Sequence, residues 1–230
     1  MAKNCKIDEI MLAILERDSS DLIVDMKNRP KLIDLGFKMH KPKKVIKINT
    51  GEVDSIENVI KIICDNLKDE HRIISMVGQC GAGKSSTFEA LKTNLNAFHI
   101  SMGDIFRFLT YSEIVENKKP QMVLRKMNYS LIDGNNRLCI KELDILKEFC
   151  LYNLELEKHI PDVSTKTQHM VIEFVKKEIT ELSKHKKRIL IEGRDFTLDF
   201  IPSDLRINLF ADPLVRARRR FLQRQEKIDE

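Results

Sequence analysis

The 230-residue sequence has no tryptophan, only 6% aromatic residues and no apolar run near the ~20 residues needed to span a bilayer. The runs at Ile73–Val77 and Ile189–Ile191 are strand-sized. Cys5, Cys64, Cys80, Cys139 and Cys150 form an odd set without CxxC or Cys/His spacing, which argues against a disulfide frame or a zinc site. The first residues, Met1-Ala2-Lys3-Asn4-Cys5-Lys6, lack the apolar core of a secretion signal. These deficits lead to the expectation of a soluble, cytoplasmic protein. What remains is ordinary for a globular chain: 42% hydrophobic residues, 33% charged residues and a net charge of +5. Basic clusters occur at Lys38–Lys47 and at Arg216, Arg218, Arg219, Arg220 and Arg224, without the interleaved aromatics of a nucleic-acid surface. Neither nucleic acid nor membrane is expected as a partner.

Residues 1–70 read as an N-terminal, mostly helical extension of unknown role, ahead of a domain over 71–230. Helical spacing covers Asp8–Arg17 and Leu22–Leu35, with a break expected at Pro30. Lys43–Asn49 alternates like a strand, and Ser55–Leu67 reads as an amphipathic helix capped by Ser55. From residue 71 onward, short strands alternate with helices. Strands are expected at Arg72–Val77, Ala97–Ser101, Arg188–Glu192 and Leu205–Phe210. Helices are expected at Lys84–Asn94, Asp104–Val115, Val171–Leu182 and Leu214–Lys227. A hairpin is expected from Asn128–Asp133 and Arg137–Ile140 around Gly134-Asn135-Asn136. This alternation predicts an α/β fold with a parallel central sheet covered on both faces, a three-layer α/β/α arrangement.

Only eight glycines are present, and three fall in Gly78-Gln79-Cys80-Gly81-Ala82-Gly83-Lys84-Ser85. That segment fits G-x-x-x-x-G-K-[ST] between a predicted strand and a predicted helix. Glycine lets the backbone curl so that several N–H groups face phosphate oxygens, while the helix N-terminus behind adds partial positive charge. Lys84 is expected on the β- and γ-phosphates and the Ser85 hydroxyl on Mg²⁺. Ser86 is expected to add a hydrogen bond to the nucleotide. Cys80 reads either as a loop spacer or as an activated thiol.

Two arginines follow expected strand ends: Arg107 after His99–Asp104, and Arg194 in Glu192-Gly193-Arg194-Asp195. Open parallel sheets bind ligands at that edge, and guanidinium forks suit a second phosphate. Sheet-end salt bridges are the plainer alternative. Asp104 is expected to cap the helix that follows it.

Gly78–Ser86, Gly103-Asp104-Ile105-Phe106-Arg107, Glu192–Asp195 and the arginine-rich helix after Ala211-Asp212-Pro213 occur in that order. Together they resemble the nucleoside monophosphate kinase family, most closely bacterial-type cytidylate kinases. The resemblance covers residues 71–230, and an acceptor-binding insert is expected over about 104–170, including the hairpin and Ile160–Ser164. It implies phosphoryl transfer from ATP with Mg²⁺ to CMP or dCMP, giving CDP or dCDP. Arg107 and Arg194 would hold the acceptor phosphate, Asp195 would help recognise the base, and Arg218 would act from the helix leading into a mobile lid. It also implies a lid, a further helix and a last strand beyond the arginine helix, so the lid and C-terminal part are expected to be incomplete. A monomer is expected. The other open reading is an ATP-binding regulatory protein or degenerate kinase fragment with impaired turnover.

Overall fold

The computed structural model of the chain describes residues 2–132, 135–140, 156 and 158–229. Its framework is a five-stranded, wholly parallel sheet. The strands are β1 (Lys44–Asn49), β2 (Ile73–Gly78), β3 (Phe98–Ser101), β6 (Ile189–Glu192) and β7 (Leu205–Phe210), in the spatial order β1-β7-β2-β6-β3. β2 is the central strand, and its sequence explains the position. Ile74 to Val77 are all buried, as an interior parallel strand covered on both faces requires.

The pleat divides these side chains between two cores. On one face Ile46, Ile48, Ile74, Met76, Leu190, Leu205, Ile207 and Leu209 pack beneath helices α2 (Ile56–Asp65) and α3 (Lys84–Leu95). On the other, Val77, Phe98, Ile100, Ile189 and Ile191 pack against α4 (Met102–Ile114), α6 (Ile160–Ser183) and the short α7 (Asp195–Leu198). The expected three-layer α/β/α fold is the fold observed.

Local chemistry accounts for most boundaries. Ser55 caps α2 by accepting the amide of Asn58 at 3.2 Å. α5 (Pro120–Lys126) starts on a proline and leads into an antiparallel hairpin, β4 (Met127–Ile132) with β5 (Asn135–Ile140). Pairing closes at Ile132↔Asn135, so Asn135 and Asn136 belong to a strand and not to the expected turn. Asp133 and Gly134 lie outside the described residues.

The N-terminal third differs from expectation. In place of two helices broken at Pro30 there is one helix, α1 (Ala2–Asp34), running through that proline. Burial of Asn28 and Leu32 on either side anchors the chain in helical register, which offsets the missing N–H. α1 lies along α8 (Pro213–Asp229), the last helix. β1 is hydrogen-bonded to β7 throughout, from Lys44↔Leu205 to Asn49↔Phe210.

Candidate active site

β1, β2, β3, β6 and β7 all run the same way, so Thr50, Gly78, Ser101, Glu192 and the segment after Phe210 come together at one sheet edge. The glycine-rich loop leaves β2 there and enters α3. Gly78 approaches β7 so closely that a Cβ would lie 2.3 Å from the Leu209 carbonyl oxygen. Gly81 has φ +80° and would place a Cβ 3.0 Å from Arg216 backbone and side-chain atoms. Only glycine meets both conditions without displacing a neighbouring strand or helix.

Lys84 folds over this loop and donates to the carbonyls of Gly78 and Gln79, the latter at 3.0 Å. Burial pushes its pKa down, and the charges of Arg17 and Arg220 push the same way, against the pull of Cys80 and Glu192. An ammonium held in this way gains better partners when phosphate oxygens enter the loop. Ser85 and Ser86 are exposed beside it. Cys80 is a free thiol whose backbone carbonyl accepts from Arg216 at 3.3 Å.

Opposite the loop, Ser101 closes β3 and performs the capping expected of Asp104. Its Oγ accepts the Asp104 amide at 3.2 Å while donating to Glu192 Oε1 at 2.8 Å. The helix starts at Met102, two residues earlier than its apolar pattern indicates, so the residue at the cap position is Ser101. Asp104, in the first turn, instead accepts from Arg107 at 3.3 Å. Arg107 Nε is buried with no hydrogen-bond partner among the described residues. Glu192 stands between the two halves. Burial raises its pKa against the Ser101 hydrogen bond, Asp104 raises it further, and Lys84 and Arg107 both draw it down.

Arg194 is half-buried and already held by α1. It donates to Asp25 Oδ1 at 2.7 Å and to the Asp21 carbonyl at 2.9 Å, and lies 3.2 Å from Asp21 Oδ1. Burial pushes the Asp25 carboxyl up despite this guanidinium. Asp195, next in the chain, is exposed, 3.7 Å from Arg206, and within the electrostatic reach of Lys84.

The arginine helix turns two of its cations to the loop. Arg218 is exposed, and the residues that reach the loop are Arg216 and Arg219. With α8 beginning at Pro213, the helical repeat turns 216 and 219 toward the loop and 218 outward. Arg216 is 1% exposed and lies 2.8 Å from Asp18 Oδ2. Arg219 donates to the Gly81 carbonyl at 3.4 Å and to both oxygens of Thr50. Thr50, itself buried, donates to the Ala82 carbonyl at 3.0 Å. Thr50, Asp18, Asp21, Asp25 and Glu192 were not among the residues sequence reasoning selected. A signal existed for the three aspartates in their 3- and 4-residue spacing, which places them on one helix face.

Among the described residues no group of three His, Cys, Asp or Glu side chains could hold a metal ion, and no helix is long and apolar enough to cross a membrane. Mg²⁺ commonly takes few protein ligands and relies on water and substrate phosphates, which suits a single loop hydroxyl such as that of Ser85.

Comparison with known proteins gives these residues a common context. Residues 74–230 match the family model described as cytidylate kinase. A cytidylate kinase of Mycoplasmopsis synoviae (strain 53) is 31% identical over 160 residues, 66% of this chain and 71% of that protein. One from Mycoplasmopsis agalactiae (strain PG2) is 29% identical over 167 residues, 67% of this chain and 71% of its own. A probable cytidylate kinase of Vairimorpha ceranae (strain BRL01) is 28% identical over 169 residues, 66% and 72% of the respective lengths. The matched segment includes the phosphate loop, the Ser101–Arg107 turn and Glu192–Asp195, and this chain belongs to the cytidylate kinase family of nucleoside monophosphate kinases.

Proposed function

We propose that this protein transfers the γ-phosphoryl group of ATP to CMP or dCMP. The observation that carries the reading is Arg107: a partly buried guanidinium in the second turn of α4, just beyond the end of β3, sharing the field of Glu192 with Lys84 of the donor loop. A protein that only bound ATP would not need a second anion site across from the first.

The loop amides and Lys84 hold the donor phosphates, and Arg107 and Arg194 hold the acceptor phosphate by charge and hydrogen bonding. Orientation and charge neutralisation supply most of the rate, because the acceptor phosphate is already an anion and no general base is required. Mg²⁺, when bound at Ser85 and the donor phosphates, supplies further charge neutralisation. Asp195, exposed at the start of α7, would accept from the base, and the β4–β5 hairpin would belong to an acceptor-binding insert. Arg218, exposed on α8, would act on the transferring phosphate from that helix.

The test is a coupled assay of ADP formation with CMP, dCMP, UMP and AMP. CMP and dCMP should stimulate turnover, and Arg194→Ala should reduce it about a hundredfold or more. ATP binding with no stimulation by any monophosphate would favour the regulatory reading.

A further inference from the structure

Three separate features tie the residues preceding the family match to the chemistry. First, β1 pairs with β7 over six residues and places Ile46 and Ile48 in the same core as β2 and β7. Without it β7 would be an open edge with an unpaired backbone. Second, Thr50 at the end of β1 braces the phosphate loop through Ala82, and Arg219 clamps that brace. Third, α1 turns Ile14, Asp18, Asp21, Asp25, Asn28 and Leu32 inward, a stripe spaced 4-3-4-3-4 with buried apolar residues at both ends. Its polar centre lies over the site, with Asp18 on Arg216 and both Asp21 and Asp25 on Arg194. Arg17 precedes Asp18, is exposed, and its charge acts at Lys84.

The comparisons give this arrangement its meaning. The match begins at residue 74 and covers about seven-tenths of each relative, so an unmatched N-terminal segment here stands beside an unmatched share of similar length there. We propose that residues 1–70 are an integral part of the kinase domain carried ahead of the phosphate loop in the chain: β1 is the outer strand of the catalytic sheet, α2 its cover, and α1 a wall of the phosphate site. In that wall Asp21 and Asp25 aim Arg194. The role of the aimed Arg194 rests on the phosphotransfer reading, whereas the assignment of β1 and α2 does not.

Two measurements on the full chain separate these parts. Asp21→Asn combined with Asp25→Asn should raise the KM for CMP about tenfold while the Kd of a non-hydrolysable ATP analogue changes less than threefold, and Asp25→Glu alone should keep most of the parent value. An unchanged KM for CMP would overturn the aiming of Arg194. Hydrogen exchange should show the Ile46 and Ile48 amides opening with those of β7, and Ile48→Ala should lower protection in β2 and β7 together. If β1 opened on its own and left β2 and β7 protected, residues 1–70 would be an accessory and the proposal would fail. If no monophosphate supported turnover, the phosphotransfer reading would fail and the role of Arg194 with it, while hydrogen exchange would still decide the architecture.

Discussion

Arg216 is the most deeply buried cation in the described structure, and it makes Asp18 a sensitive probe of the whole account. Its guanidinium is enclosed between α8, the phosphate loop and α1. Among the described residues it meets the Cys80 carbonyl at 3.3 Å and Asp18 at 2.8 Å. Asp18→Ala leaves that charge buried with one long hydrogen bond to a neutral oxygen. Removing one partner of a fully buried pair costs about 3–5 kcal/mol. The Asp18 side chain is 18% exposed, so water entering beside the new alanine offsets part of this, and about 2–3 kcal/mol remains. For a chain of this size that corresponds to a fall in Tm of about 5–10 °C. Urea unfolding followed by circular dichroism would measure it, with Arg216→Met and the double variant completing a cycle. The double variant should recover to within about 1 kcal/mol of the parent, because a methionine needs no counter-charge. A cost below about 0.5 kcal/mol for Asp18→Ala, the value of an exposed pair, would refute the reasoning. So would loss of α1 helicity in a separate early transition, which would mean that α1 is not part of the cooperative unit.

Lys84→Met should raise the stability of the nucleotide-free protein by about 1 kcal/mol while abolishing its stabilisation by ATP, as seen by thermal shift. Burial depresses the Lys84 pKa, so the cost of its charge is present at neutral pH and fades as pH rises through the folded value. The gain in the methionine variant should therefore shrink in alkaline buffer. Gly81→Ala should destabilise by about 2–4 kcal/mol, since φ +80° and the contact with Arg216 both disfavour a side chain; equal ATP affinity in that variant would contradict the loop geometry. Glu192 has a pKa raised chiefly by burial, so the fold loses stability as pH rises from the unfolded toward the folded value. Glu192→Gln should accordingly be more stable than the parent at pH 7–8 by about 1 kcal/mol and equal to it below about pH 4, although its turnover falls.

The parts legible in the sequence are those whose cause is local. The phosphate loop is fixed by glycine conformation and by its place between a buried strand and a helix. β2 and β6 are recognisable as short, nearly continuous apolar runs because a parallel interior strand is covered on both faces, and β7 by the alternation of Leu205, Ile207 and Leu209 with Arg206 and Asn208. The role of β1 was not legible, since Lys44–Asn49 alternates like many edge strands and its pairing with residues 205–210 is a long-range choice. Pro30 reads as a helix break on local grounds, and packing around Asn28 and Leu32 overrides it. Asp104 and Ser101 are both good caps, and a two-residue shift of the helix start decided between them. The arginine helix shows the same sensitivity to phase: its composition announces a cationic face, but the positions that meet the loop depend on where α8 begins. The acidic stripe of α1 had readable spacing and no readable partner, because Arg194 and Arg216 lie far along the chain.

The most direct test of the central claim is to follow the label from ATP carrying ³²P at its γ-position when the full chain is mixed with CMP. Label should appear in CDP at a rate that depends on both nucleotides and falls about a hundredfold in Arg107→Ala. Label appearing only as inorganic phosphate, or remaining in ATP however much CMP is added, would contradict a site in which one lysine and two arginines hold a donor and an acceptor face to face.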